Sequence, residues 1–202
     1  MSNILKLLDE IASDDSRLFK EAILRRETKN KLLQQVFKAA YDPFINYWQK
    51  KIPVYTRSKK ETNDLEFAMD QLYLKFALRQ VTGNAAQVAL SNLLSTLTPD
   101  DAEVLTRIIL HDLRVGCSEG TANKVWKELI PEFDVCLSYK DISGIKLPAY
   151  AQTKMDGGRC HMEYDGESVK AMSRNGKALI LHGVFDKAAS KLMEPGETFD
   201  GE

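Results

Sequence analysis

The spacing of apolar residues changes once along this chain, and that change constrains the fold more than any other feature. Up to Ile130, apolar positions recur at intervals of three and four, the signature of helices with one buried face. Ile4, Leu7, Leu8 and Ile11 form one stripe, Phe19, Ile23 and Leu24 a second, and Leu32, Leu33, Val36 and Phe37 a third. Leu65, Ala68, Met69, Leu72, Phe76 and Ala77 extend the pattern over a longer segment. Thr82-Gly83-Asn84 closes it, with Gly83 suited to the left-handed position past a helix end. Thr98-Pro99-Asp100-Asp101 starts another helix, because Thr98 can cap, Pro99 fits the first helical position and the acids favour the positive end of the dipole. Gly116 breaks that run, and Ser118 can cap a last helix through Val125 and Leu129.

From Ala149 the period falls towards two. Residues 149–155 read as a buried strand, and 159–164 and 168–173 flank Asp165-Gly166, which suits a tight primed turn. Residues 184–193 read as a short helix and 197–202 as another strand. Residues 131–148 hold Pro131, Gly144 and Pro148 without a sustained period and read as a linker. The expected architecture is an all-α domain over 1–130, followed by the first part of an α+β domain over 149–202.

With 44% hydrophobic and 28% charged residues, the chain has globular rather than disordered composition. No apolar run reaches the ~18 residues a membrane span needs. Met1 to Glu10 alternates apolar and charged residues at helical spacing, unlike a signal peptide. The expectation is a cytoplasmic protein without a membrane partner. Cys117, Cys136 and Cys160 match no zinc spacing and are odd in number, so free thiols are expected. His111, His161 and His182 do not cluster and read as packing or surface residues. Tyr41, Phe44, Tyr47 and Trp48, gathered around Pro43, read as core. The net charge of −1 excludes a globally basic nucleic-acid binder, yet residues 1–60 carry 13 Lys and Arg against 7 Asp and Glu. That first part of the chain is a candidate footprint for a polyanion, the other reading being that Lys and Arg decorate solvated helix faces.

The stretch that carries chemistry is Lys154-Met155-Asp156-Gly157-Gly158-Arg159. It sets a lysine at the end of an expected strand, a glycine turn that lets a ligand approach the backbone, and an arginine for a polyanion. Lysine becomes a nucleophile when burial or a neighbouring cation makes it neutral near pH 7. Lys-x-Asp-Gly-x-Arg resembles the nucleophile motif of the covalent nucleotidyltransferases: DNA ligases, RNA ligases and mRNA capping enzymes. Ser173-Arg174-Asn175-Gly176 and Phe199-Asp200-Gly201-Glu202 resemble the next two motifs, in order. In the helical half, Thr82-Gly83-Asn84-Ala85-Ala86, Leu113-Arg114-Val115-Gly116 and Ala122-Asn123-Lys124-Val125-Trp126 resemble the DNA-binding domain of the larger ATP-dependent DNA ligases, those of the T-even bacteriophage type in particular.

The resemblance implies a helical DNA-binding domain followed by the N-terminal part of a nucleotidyltransferase (ATP-grasp-like adenylation) domain. It implies ATP and magnesium as cofactors, nicked duplex DNA as partner, a monomer, and nick sealing through a lysyl-AMP intermediate. Lys154 would be the adenylated residue. Gln152 and Thr153 would flank the adenine, Arg159 would lie near the ribose or the nick terminus, and Arg174 would bind phosphate of the nucleotide and then of the nicked DNA. Glu202 would accept from the ribose hydroxyl and contribute to a metal site. Arg114, Gly116 and Lys124 would meet DNA phosphates across a minor groove, contacts that position without reading sequence. The family pattern continues after such a glutamate with a further metal glutamate, phosphate-binding lysines and an OB-fold. The expectation is therefore a partial chain that adenylates weakly by itself. Two other readings are a non-catalytic duplex-binding module and an RNA ligase or capping-type enzyme; the helical half counts against the last.

Overall fold

The computed structural model describes residues 4–58, 62–131, 143–146, 148–149, 157–174 and 176–201. It divides into two compact units, Met1–Pro131 and Glu132–Glu202.

The first unit is helical. Its helices are α1 (Ile4–Ala12), α2 (Arg17–Arg26), α3 (Lys31–Tyr41), α4 (Leu65–Leu72), α5 (Gly83–Ser95), α6 (Pro99–Ile109) and α7 (Glu119–Val125). The stripe Ile4, Leu7, Leu8 and Ile11 is buried on α1, and Leu33, Val36 and Phe37 are buried on α3. The organising element is α6, where Ala102, Val104, Leu105, Ile108 and Ile109 are all buried. It packs against α1, α3, α4 and α5. A helix apolar on so much of its circumference is satisfied only at the centre of a bundle. Its start follows the sequence: Thr98 accepts from the Asp101 amide (3.1 Å), with Pro99 in the first turn.

Two sequence expectations change here. Gly83 takes a positive φ (+57°) and opens α5 instead of closing the preceding helix. That helix widens into a π-helical turn over Tyr73–Ala77, where the Leu78 amide reaches back to Tyr73 O (3.1 Å). The turn consumes the helix before Gly83 is reached. The aromatic group around Pro43 is only partly core. Tyr47 is buried and donates to Ala39 O (2.8 Å), while Phe44 and Trp48 are more than half exposed. Trp48 is covered on one face by the Arg79 guanidinium, 4.5 Å from the ring centre. His111 stacks on Tyr47 with ring centroids 5.4 Å apart, a packing histidine as its sequence context suggested.

The second unit contains an antiparallel sheet in the order β3-β2-β1-β4, from β1 (Cys160–Tyr164), β2 (Val169–Ser173), β3 (Ala178–Leu179) and β4 (Thr198–Gly201). Helix α8 (Asp186–Leu192) lies against β1, and a small core forms from Tyr164, Ala189, Met193 and Val169. The β1–β2 connection is a correction to the primed-turn expectation. Tyr164 pairs with Val169, leaving residues 165–168 between the strands instead of two residues. The cause is the Asp165 carboxylate, which accepts from the amides of Glu167 (3.0 Å) and Ser168 (2.8 Å) and stabilises the longer turn.

Those amide donors hold the Asp165 carboxyl down at about 2, below the ordinary ~3.9. A depressed folded-state value means the carboxylate form favours the folded turn. Its contribution is present above about pH 4 and is lost as pH falls through about 2. An NMR titration of the Asp165 carboxyl carbon should show a midpoint near 2; a midpoint near 4 would show that the amides do not donate to it in solution.

Candidate functional site

The sheet register brings together the described ends of the three motifs singled out in the sequence. Cys160, the first residue of β1, faces Ser173 at the end of β2 on one side and Gly201 at the end of β4 on the other. Neighbouring strands lie about 4.8 Å apart, so these backbone positions span roughly 10 Å. Arg159 precedes Cys160 and Arg174 follows Ser173, so both leave the same end of the sheet. Gln152, Thr153, Lys154, Asp156 and Glu202 lie outside the described residues, as does the expected strand over 150–155.

Arg159 is not projecting alone. Its Nε donates to Asp200 Oδ1 (2.9 Å) and Oδ2 (3.0 Å), and its Nη2 also donates to Asp200. This pairing joins the first motif to the third and lowers the Asp200 carboxyl from its ordinary value. Arg174 is exposed in a tight connection where the Gly176 amide donates to Ser173 O (2.9 Å) and the Lys177 amide donates to Ser173 Oγ (3.2 Å). Gly176 takes φ +72°, which glycine adopts without steric cost. Among the described residues no group of three or more His, Cys, Asp or Glu is placed to hold a metal ion.

In the helical unit the expected DNA-contacting residues lie on the connection from α6 to α7 and on α7 itself. His111, Arg114 and Gly116 all take positive φ within six positions. For the non-glycine residues such backbone is sparsely populated and is held by the surroundings. Asp112 Oδ1 accepts from the Arg114 amide (2.8 Å) and turns the chain there. The Arg114 side chain is half exposed and pairs with Glu103 (3.1 Å). The same Glu103 oxygen accepts from Arg107 Nε (2.9 Å), and Arg107 reaches on to Asp9 (3.1 Å) and to Leu113 O (3.3 Å). Arg114 is thus anchored at both ends.

Gly116 has a different constraint. At φ +58° a Cβ would come within 2.7 Å of Lys20 Nζ, which donates to Gly116 O (2.9 Å). Lys20 is 3% exposed and Glu21 is 8% exposed, a pair of buried charges the sequence analysis did not single out. The exposed Lys124 ammonium pairs with Glu21 (3.5 Å). Arg114, Gly116 and Lys124 therefore share one stretch of the helical unit, with Lys20 and Glu21 of α2 behind it.

Burial raises the Cys117 thiol to about 11, with the Lys20 ammonium opposing the shift. Alkylation of Cys117 at pH 7.5 should therefore run about a hundredfold slower in the folded chain than in denaturant. Equal rates, read by mass after digestion, would show that the thiol is not shielded.

Residues 56–127 match the family model described as DNA ligase N terminus. The chain is 39% identical over 187 residues to the DNA ligases of Enterobacteria phage T4 and Enterobacteria phage T6, covering 88% of this chain and 38% of each relative. It therefore spans well under half the length of these curated relatives. The solved structures titled "Pmar-Lig_Pre." and "Pmar-Lig_PreS3" superpose with TM-scores of 0.73 and 0.70 at 23% identity, over 100% of this chain and 50% of theirs, a likeness of fold. Among the described residues no helix is long and apolar enough to cross a membrane. By its relatives and by the family-model match, this chain is similar to part of a DNA ligase of the phage T4 type.

Proposed function

We propose that this chain is the DNA-grasping and nucleotide-accepting part of an ATP-dependent DNA ligase that seals nicks in duplex DNA. Its setting would be replication, repair and recombination in the cytoplasm, a host's if the source is viral. The observation that carries this reading is the convergence at Cys160: the strand that follows Lys154-x-Asp-Gly-x-Arg159 is flanked by the ends of the Arg174 and Asp200-Gly201 motifs. Three separated stretches assembled at one end of a sheet are what a nucleotide site requires.

In this reading the neutral amine of Lys154 attacks the α-phosphorus of ATP. A P–N bond forms, the P–O bond to pyrophosphate breaks, pyrophosphate leaves with the electron pair, and the amine gives up a proton. AMP then passes to the 5′-phosphate at the nick, and attack by the 3′-hydroxyl releases it. Arg174 binds phosphate in both stages. Arg159, fixed by Asp200, holds its end of the β-sheet beside the ribose or the nick terminus. Gln152 and Thr153 flank the base, and Glu202 accepts from a ribose hydroxyl. Magnesium, when bound, offsets phosphate charge. It commonly takes one or two carboxylates alongside phosphates and water, and Glu202 would be one of them. Arg114, Gly116 and Lys124 hold the backbone of the duplex, and the protein acts as a monomer.

The other reading, a duplex-binding module without catalysis, is not favoured by the relatives, which are named DNA ligases. Intact mass after incubation with ATP and magnesium separates the two. The measurement is made on this chain and on a chimera that continues into the C-terminal part of the T4 relative. One AMP mapped to Lys154, and lost in Lys154→Ala, supports the ligase reading. Duplex binding with no adduct on either protein leaves only the module.

A further inference from the structure

We infer that the phosphate-binding surface of the helical unit extends from α7 onto α2, with Arg17 and Arg25 as phosphate contacts beside Lys124 and with Glu21 as the residue that positions all three. This rests on the reading of the unit as a DNA-binding surface and names a part of it that the α7 motif does not include.

The starting point is the chemistry of α2. Lys and Glu are almost never buried unless paired, yet α2 buries both Lys20 and Glu21 at its contact with α7. Each reaches the 116–124 stretch. Lys20 donates to Gly116 O (2.9 Å) and Glu21 pairs with Lys124 (3.5 Å). Glu21 also faces Arg17 (3.4 Å) and Arg25 (3.8 Å) one turn before and after it. Its Oε1 is buried and makes no hydrogen bond of good length. Arg17 and Arg25 are each 66% exposed and Lys124 is 51% exposed.

As a stability device this arrangement is poor. Charges at such distances from exposed partners contribute little, and an apolar side chain would pack the α2–α7 contact at lower desolvation cost. What the arrangement does achieve is geometric. One buried carboxylate gathers three exposed cations, with nitrogens of Arg17, Lys124 and Arg25 lying 3.4, 3.5 and 3.8 Å from its oxygens. A duplex carries one phosphate charge every ~1.7 Å of its axis, so a cluster of three cations meets more than one of them. Arg17 and Arg25 lie in the part of the sequence where basic residues outnumber acidic ones, 13 to 7 over residues 1–60. The occupant is therefore the phosphodiester backbone of a duplex.

The test is fluorescence anisotropy of the chain on a labelled nicked duplex, across about 50 to 200 mM salt. Arg17→Gln with Arg25→Gln should weaken binding by about tenfold or more and reduce the salt slope by about two. Lys124→Gln should reduce it by about one. Glu21→Gln separates positioning from simple charge. Removing a negative charge beside phosphates would by itself raise affinity, whereas loss of the positioning contact lowers it, by roughly threefold to tenfold. Glu21→Met should show the same weakening without a lower thermal midpoint, which a purely structural role would not allow. Unchanged affinity and slope in the double arginine variant, or tighter binding by Glu21→Gln, overturns the inference. If Lys124→Gln weakens binding while the arginine pair does not, the DNA-binding reading stands and this extension falls. If the unmodified chain binds no duplex, both fall.

Discussion

Lys154→Arg is expected to lower AMP transfer to the protein by at least about a thousandfold, with duplex binding unchanged. The two side chains are alike in charge and reach, and they differ in the property the reaction needs. A lysine amine can be made neutral near pH 7 by burial or by a nearby cation, which exposes the lone pair that attacks phosphorus. A guanidinium keeps its proton to above about pH 12 and offers no such lone pair. The substitution therefore isolates nucleophilicity from charge, which Lys154→Ala does not. Incorporation of α-labelled ATP over time is the measurement, on the chain and on its extension into the T4 relative. Labelling at an undiminished rate would place the nucleophile elsewhere and remove the basis for reading the Lys154-to-Arg159 motif as catalytic.

Phe37→Ala is expected to destabilise the helical unit by about 3–5 kcal/mol. Phe37 is fully buried on α3, and its ring meets Tyr41 edge-on (5.8 Å, 63°) and Trp126 edge-on (5.3 Å, 71°). Trp126 directly follows α7, so this contact fastens the helix carrying Lys124 to the body of the bundle. Truncation leaves a cavity between rigid helices, and the lost contacts add to the lost transfer free energy. Urea denaturation followed by far-ultraviolet circular dichroism should show a lower midpoint at an unchanged slope. A loss below about 1 kcal/mol would mean that the surrounding helices close over the space. Duplex affinity measured below the new midpoint should remain close to the parent value, because Phe37 supports the binding surface without being part of it.

Both predictions draw on features visible in the sequence, and the contrast with what was hidden is instructive. The stripe Ile4, Leu7, Leu8 and Ile11 needs only one buried face to make a helix, and it is buried as a stripe. The start of α6 is equally local, since the Thr98 hydroxyl and Pro99 act within one turn. β1, β2, β4 and α8 are close to where alternation and spacing put them. The turn after Tyr164 departs from the two-residue form although its signal is local, because a carboxylate accepting from two amides outweighs the Asp-Gly preference for a two-residue turn.

Other features depend on partners distant in sequence. Lys20 and Glu21 sit next to the stripe residue Phe19 and read as the polar side of an amphipathic helix, yet they are buried while Phe19 is partly exposed. Their partners, Gly116 and Lys124, lie about a hundred positions away. Trp48 and Phe44 read as core for the same reason, since nothing local says that Tyr47 alone turns inward.

By itself the sequence determined where helices give way to strands and which residues line each helix, and it singled out three motifs, because periodicity, capping and motif spacing act over a few residues. Only the tertiary structure decided that β1 lies between the ends of β2 and β4, gathering those motifs at Cys160, and that α2 turns two charges inward towards α7. Register and burial depend on which surfaces meet, and a linear pattern does not record that.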